Sequence, residues 1–242
     1  MRVRVGTVGG RVAVAAAVAM LLGGCAGTAD DDGKTSASAS ADASADAKGA
    51  AAEDTGEKAT AAARGGTLGP AGSACELPVS FGVAKDWKPK SIDAEKELAQ
   101  ISKGGEDGDL AGALAAAMLR QGPVTAACEI DAKPAGSIGF LRVWKGKPGG
   151  ADAGGVLRAF VAAQKGVGEA EYHSFKTGGG VPAVEVEYVS TNKLLEETKK
   201  ECAFAVGTPD GPVVLHLGGM DTREHEEMLP AYELAKSTLA LS

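Results

Sequence analysis

The chain has 242 residues, a formal net charge of −7 and only 4% aromatic residues. This acidic balance argues against nucleic acid as a partner, because binding to phosphates needs a basic surface. After the first 25 residues no apolar run is long enough to cross a bilayer, so the only membrane attachment that the sequence predicts is at the N-terminus.

The N-terminus has the pattern of a lipoprotein export signal. Three arginines precede the apolar residues 12–22, and the segment ends in Leu22-Gly23-Gly24-Cys25. A membrane span needs about 17 to 25 apolar residues, and a plain secretory signal usually ends in Ala-x-Ala. The last four residues resemble a bacterial lipobox. The resemblance implies a signal peptide over 1–24, a diacylglycerol on the Cys25 thiol, further acylation with a fatty acid such as palmitate, and a mature protein tethered to the extracytoplasmic face of the cell membrane.

Residues 25–72 are predicted to form a disordered stalk that begins at the lipidated cysteine. From residue 26 onward the segment is rich in Ala, Ser, Asp, Gly, Thr and Lys, with one Leu and no aromatic residue. Such a composition cannot bury enough apolar surface to offset its ordering entropy. As a flexible coil the stalk would span roughly 35 to 40 Å. Glycosylation of its Ser and Thr residues is an open alternative.

Residues 73–242 have the length of a single folded domain. Alternating and helical periods divide them into elements. Strands are predicted at 75–81, 124–131, 137–145, 171–176, 183–190, 200–206 and 212–217, and helices at 110–118, 152–166 and 223–239. Thr208-Pro209-Asp210-Gly211 predicts a hairpin between the last two strands. The fold class is therefore α+β, with a mostly antiparallel sheet and helices packed on it.

The predicted helices have recognisable ends and faces. Leu110, Leu114 and Met118 share one face of an Ala-rich segment that stops at Gly122. In the last helix, Asp221 and Glu224 have the spacing of an N-cap and its capping-box partner. Pro230 is expected to kink this helix or to mark its effective beginning.

Three segments together resemble a family of actinobacterial surface lipoproteins. They are Val-Ala-Lys-Asp-Trp at 83–87, Gly-Pro-Val-Thr-Ala-Ala-Cys-Glu-Ile-Asp at 122–131, and Gly-Val-Pro-Ala-Val-Glu-Val-Glu-Tyr at 180–188. With the C-terminal hairpin and long helix, the topology looks like the Mog1/PsbP-like α/β/α sandwich, to which the LpqN-type lipoproteins also belong. The resemblance implies an adaptor, assembly factor or binding module, and it supplies no catalytic residues.

Three cysteines remain if Cys25 carries lipid. Cys75, Cys128 and Cys202 lie on the apolar faces of their strands, and export would place them in an oxidising compartment. A disulfide between Cys75 and Cys128 is the favoured pairing. A Cys128–Cys202 disulfide and three reduced thiols are the alternatives. The leftover thiol, Cys202 in the favoured scheme, is expected to be a core residue rather than a nucleophile, since no His or basic residue adjoins it in sequence.

No sequence motif predicts enzyme chemistry. The segment from His225 begins like a zinc-protease helix but lacks the second His four positions later. His216, Asp221 and His225 could approach one another, but they are expected to be a surface His, a helix cap and a solvated helix face, and no metal site is predicted. No nucleophile elbow or dinucleotide fingerprint occurs, so no catalytic residue and no cofactor are expected.

Two functional classes remain. The favoured one is a non-catalytic protein-interaction or envelope-assembly module. The alternative is a small-ligand receptor with a pocket between the sheet and a helix layer, and an envelope hydrolase is disfavoured by the missing motifs. Trp87 and Trp144 are interpreted either as exposed anchors for a partner or glycan, or as filling of the sheet–helix interface. Partner binding predicts an exposed apolar patch, whereas a ligand receptor predicts a deep apolar cavity.

Overall fold

The computed structural model describes residues 60–101, 106–149, 152–193 and 196–242. The predicted signal peptide, Cys25 and most of the predicted stalk lie outside these residues. The elements, in chain order, are β1 (Arg64–Leu68), β2 (Val79–Ala84), β3 (Lys88–Ser91), α1 (Ala94–Ile101), α2 (Glu106–Leu119), β4 (Arg120–Gln121), β5 (Val124–Asp131), a short 3₁₀ helix (Lys133–Ala135), β6 (Gly139–Gly146), α3 (Ala153–Ala162), β7 (Val167–Lys176), β8 (Pro182–Asn192), β9 (Glu197–Val206), β10 (Val213–Gly219), α4 (Thr222–Thr238) and β11 (Ala240–Leu241).

The strands form two antiparallel sheets. The main sheet has the order β3-β5-β6-β10-β9-β8-β7, and β4 pairs with one end of β5. A small sheet has the order β1-β2-β11. Consecutive strands β7, β8, β9 and β10 are neighbours in the main sheet, as short hairpin connections require. The predicted α+β class with a mostly antiparallel sheet is confirmed.

The main sheet is covered on both faces, which makes three layers. Side chains alternate along β9, so Cys202 and Phe204 face one side while Ala203 and Ala205 face the other. The first side packs against α4 and β2, around Tyr232 and Phe81 among others. The second side packs against α3, around Phe160 and Trp144 among others. The helices on both faces agree with the predicted sandwich. None of the helices in the described ranges is long and apolar enough to span a bilayer.

The folded part begins earlier than the sequence predicts. β1 lies inside the segment predicted as stalk, and its residues are exposed except for Leu68. Main-chain pairing with β2 holds β1 in place. The side-chain composition of this segment therefore gives little indication that it forms a strand. After β1, Gly69 has φ +107°, and a Cβ there would lie 1.9 Å from the Val79 carbonyl oxygen. The domain therefore extends at least to Arg64, and the strand predicted from Cys75 begins only at Val79.

The last helix differs in detail from its prediction. The Asp221 carboxylate accepts a hydrogen bond from the Glu224 backbone N–H, so the predicted N-cap is confirmed. The Glu224 carboxylate does not complete a capping box, because it accepts from the backbone N–H of Ile138 instead. The helix begins at Thr222 and contains Pro230, so Pro230 does not mark its start.

Candidate functional site

The structure contains the disulfide Cys75–Cys128. The two Cα atoms are 6.0 Å apart, and both residues are buried in the core cluster on the α4 side of the sheet. The bond joins the loop before β2 to the middle of β5. Of the pairings considered from the sequence, this is the favoured one.

Cys202 is the remaining thiol within the described residues, and it is 2% exposed. Burial raises the pKa of this thiol well above its ordinary value, and the nearby carboxylates of Glu185 and Glu187 raise it further. A thiol that stays protonated is a poor nucleophile. The geometry therefore supports a packing role for Cys202.

A buried polar cluster lies on the α3 side of the sheet, made of Tyr188, Glu201 and His216 on the adjacent strands β8, β9 and β10. The Tyr188 hydroxyl donates to Glu201 Oε2 at 2.8 Å, and the His216 Nε2 lies 2.9 Å from the same oxygen. Lys199 Nζ lies 2.9 Å from the other carboxylate oxygen, Oε1. All three cluster residues are buried. The carboxylate of Glu201 is therefore a charged group inside the fold, and the sequence analysis did not predict it.

The electrostatics of this cluster favour a structural role. Burial tends to raise the pKa of Glu201, but the hydrogen bond and electrostatic attraction of His216, together with Lys199, lower it to about 2. Burial and the Glu201 charge raise the pKa of Tyr188 far above its ordinary value. Both oxygens of Glu201 are already hydrogen-bonded or ion-paired. A saturated carboxylate and a protonated tyrosine offer no poised general base near neutral pH.

A second buried carboxylate attaches α4 to the sheet. Glu185 on β8 is 7% exposed, accepts from the Tyr232 hydroxyl at 2.9 Å and pairs with Lys236 Nζ at 2.6 Å. Although burial tends to lower the pKa of Lys236, Glu185 and Glu233 raise it above its ordinary value. Tyr232 and Lys236 stand one helical turn apart on α4 and reach the same carboxylate. The ion pair therefore fixes the position of the helix over β8.

His216, Asp221 and His225 do not form a metal site. His216 belongs to the buried polar cluster, and Asp221 caps α4. His225 is 4% exposed, and burial lowers its pKa to about 4. Both histidines are buried, so the expectation of a surface His and a solvated helix face is wrong for them. Across the described ranges, no group of three His, Cys, Asp or Glu side chains is placed to hold a metal ion.

The two tryptophans are core residues. Trp87 packs in the cluster on the α4 side, and Trp144 packs edge-on against Phe160 with ring centroids 5.5 Å apart. Both are buried. The interpretation as exposed anchors for a partner or glycan is therefore wrong, and these residues fill the interfaces between the sheet and its covering layers.

An exposed apolar surface lies on α2. Ala113, Leu114, Ala117 and Met118 are all exposed, Leu114 at 64% and Met118 at 59%. We call these four residues the α2 apolar face. α2 contacts α1 and the short strand β4. The helix ends at Leu119, before the predicted stop, and Gly122, at φ +55°, lies instead in the turn between β4 and β5. The helical spacing of Leu114 and Met118 predicts this helix correctly, but the face that carries these two residues is exposed to solvent.

The largest cavity beside the buried polar cluster is lined mainly by residues with hydrophilic side chains. It has a volume of about 600 Å³, and its lining includes Lys165, Ser190, Thr191, Lys193 and Lys199. The ligand-receptor alternative predicts a deep apolar cavity, whereas no aromatic or aliphatic residue is among the described residues that line this one.

Comparison with known proteins places the chain in a family. No curated protein matches the sequence. The solution structure of cyanobacterial PsbP (CyanoP) from Synechocystis sp. PCC 6803 matches 73% of this chain and 98% of that chain, with 11% sequence identity and a TM-score of 0.43. A similarity at this level carries no argument about function. The family model Lipoprotein_23, described as "Uncharacterised lipoprotein", matches residues 44–239. The chain therefore belongs to this lipoprotein family.

Proposed function

We propose that this chain is a lipid-anchored, extracytoplasmic lipoprotein whose folded domain is a non-catalytic protein-interaction module. Family membership supports the membrane anchor, and the lipobox pattern assigns it to Cys25. In this proposal residues 1–24 are a signal peptide, and a stalk from Cys25 leads to a domain that begins before Arg64. The more specific resemblance to actinobacterial LpqN-type lipoproteins stays a prediction.

The observation that carries the interaction role is the α2 apolar face. Exposing Leu114 and Met118 leaves apolar surface in water, at a cost of about 25 cal/mol for each Å² that a partner could cover. A protein that offers an apolar groove would cover it, as in helix-in-groove recognition. The bilayer is a poorer occupant, because α2 contains no Lys or Arg to contact lipid headgroups.

The non-catalytic part of the proposal rests on the chemistry of the buried groups. Glu201 is saturated with hydrogen bonds, and Cys202 is buried with a raised pKa. These groups stabilise the fold, and neither is poised for acid–base or nucleophilic catalysis at neutral pH.

Metabolic labelling tests the anchor. Cells expressing the chain are given an alkynyl palmitate analogue, and the wild type is compared with Cys25→Ser. We expect label and membrane association in the wild type and loss of both in the variant. Protease added to intact cells should digest the domain. An unlabelled wild type, or a protected domain, would contradict the proposed anchor or its extracytoplasmic side.

Site-specific crosslinking tests the α2 apolar face. A photoreactive residue is placed at Leu114 or, as a control, at Gln100 on the exposed surface of α1. We expect an adduct of defined mass at Leu114 alone, and its loss on Met118→Asp while thermal stability is unchanged. Equal adducts at both positions, or an adduct that survives Met118→Asp, would show that α2 is not the binding surface.

A further inference from the structure

A groove with excess negative charge lies between α4 and the β7–β8 edge of the main sheet. Its volume is about 370 Å³, and besides the ion-paired Glu201 four glutamates line it: Glu169 and Glu171 on β7, Glu187 on β8 and Glu226 on α4. We call this cavity the acidic groove. It lies toward the β7 edge of the sheet, whereas α2 contacts a strand paired with β5 near the opposite edge.

The charges in the acidic groove oppose one another. Glu171 and Glu187 are direct partners across the antiparallel β7–β8 pair, an arrangement that destabilises a sheet when both residues have the same charge. The register shift between Val167 and Ala170 places Glu169 in a bulge, and bulges re-aim side chains. Charged residues can protect an edge strand from unwanted pairing, but that protection does not require like charges to face each other.

Little positive charge compensates these glutamates. Lys200 also lines the groove, and its Nζ lies 2.9 Å from Glu226. In the part of the chain that the structure describes, neither Glu169 nor Glu187 has a salt-bridge partner. The nearest histidine contact is His173, whose Nε2 lies 3.9 Å from Glu171. The sheet side of the groove therefore has unneutralised carboxylates.

A buried imidazole in the same cavity supplies a second, independent observation. His225 lines the groove and is 4% exposed, yet its Nδ1 has no hydrogen-bond partner among the described residues. A buried ring nitrogen without a partner is costly. Glu201, His216, Lys200 and Glu226 are the charged or titratable groups that act on this ring. A neutral imidazole leaves the negative charge of the groove intact.

We infer that the acidic groove binds a basic, extended segment of a partner protein. Ammonium or guanidinium groups of Lys or Arg would neutralise Glu169, Glu171 and Glu187. Val189 and Leu229 also line the groove and can pack against the aliphatic stems of those side chains. Among the described residues of the groove, no three side chains are placed to hold a metal ion. A peptide explains the position of the groove in the fold better than a free amine does.

The location favours a peptide because β7 is an edge strand. It has 10 residues and stands at the end of the main-sheet order. An edge strand of this length can accept an added strand through main-chain hydrogen bonds, while side-chain contacts give specificity. The occupant we infer therefore adds to β7 and places alternate basic side chains over the glutamates.

Fluorescence anisotropy with the full-length chain in detergent tests this inference. The probe is a labelled peptide of four Lys-Val repeats, with four Glu-Val repeats as the matched peptide of opposite charge. We expect saturable binding of the lysine peptide alone, weakening as salt is raised. Glu171→Gln with Glu187→Gln should weaken binding at least tenfold. The control Glu95→Gln with Glu97→Gln, which removes the same charge from exposed residues of α1, should change binding less than twofold.

Three outcomes would overturn the inference. They are no binding at low salt, equal losses in the groove and control variants, and complete competition by spermine at equal charge concentration, which would identify a small-amine site. Thermal melting adds a second readout: because the glutamates repel one another, the groove variant should melt no lower than the wild type. Met118→Asp should bind the peptide normally, so failure of the acidic groove and failure of the α2 apolar face are distinguishable.

Discussion

The disulfide Cys75–Cys128 should contribute a large share of the stability of the domain. Its two cysteines are 53 positions apart in the chain. In the chain-entropy model, closing a loop of that length removes denatured-state entropy equivalent to about 4 kcal/mol at 25 °C. A typical domain is stable by only about 5 to 15 kcal/mol. We therefore expect Cys75→Ala with Cys128→Ala to lower the free energy of unfolding by about 4 kcal/mol.

Urea denaturation followed by circular dichroism measures this loss. The m-value should rise in the double variant, because an uncrosslinked denatured chain exposes more surface. Cys202→Ala is the matched control: it removes a buried thiol without opening a loop, and it should cost about 1 kcal/mol with no change in m-value. A loss below about 1 kcal/mol in the double variant, or equal losses in both proteins, would refute the loop-closure reasoning.

Three further predictions concern buried groups. The pKa of His225 is about 4 in the fold, compared with an ordinary value of 6.5. Between these two pH values the unfolded chain binds more protons than the folded chain does, so the free energy of unfolding should fall by up to about 3 kcal/mol as the pH falls from 6.5 to 4. His225→Leu should flatten that pH dependence in urea titrations. Glu185→Ala leaves partly buried Lys236 without its main partner and should cost about 3 kcal/mol, whereas adding Lys236→Met should recover part of the loss in the same assay. Iodoacetamide should label Cys202 at least about 100-fold more slowly in the folded chain than in urea; rapid native labelling, followed by mass spectrometry, would contradict the packing role.

Local periodicity predicted the central strands well. β5 has the predicted bounds, Val124–Asp131, because its residues alternate between buried and partly buried along the whole strand. The hairpin between β9 and β10 was equally accessible, since Pro209 and the following Asp-Gly pair are typical turn residues. In these elements the side chains and the main-chain pairing indicate the same structure.

Elements held by pairing at sheet edges were not predicted. β1 exposes almost every side chain and exists through hydrogen bonds to β2. β3 has the sequence Lys-Pro-Lys-Ser and pairs with β5 at one end of the main-sheet order. Short polar edge strands of this kind lack an apolar alternation. α1, a helix of 8 residues rich in Glu and Lys, was missed for a similar reason.

The buried carboxylates show a different limit of sequence reasoning. The alternation along β8 puts Glu185 on the face opposite Val186, but it could not show that α4 covers that face. The side chains that satisfy Glu185 are 47 and 51 positions away, at Tyr232 and Lys236. Glu201 depends in the same way on His216 from the next strand. Such contacts are set by tertiary packing, so periodicity along one strand cannot reveal them.

The path of the chain through the small sheet has a mechanical consequence. β1 is the first strand within the described residues, and a pulling force applied at its N-terminal end enters through β1 and the loop that follows it. At Cys75 the covalent bond passes the load directly to Cys128 in β5. The intervening 53-position separation corresponds to about 180 Å of extended chain, and that length stays shielded from tension while the bond is intact. Chemical reduction would therefore turn a short, stiff linkage into a long, extensible one.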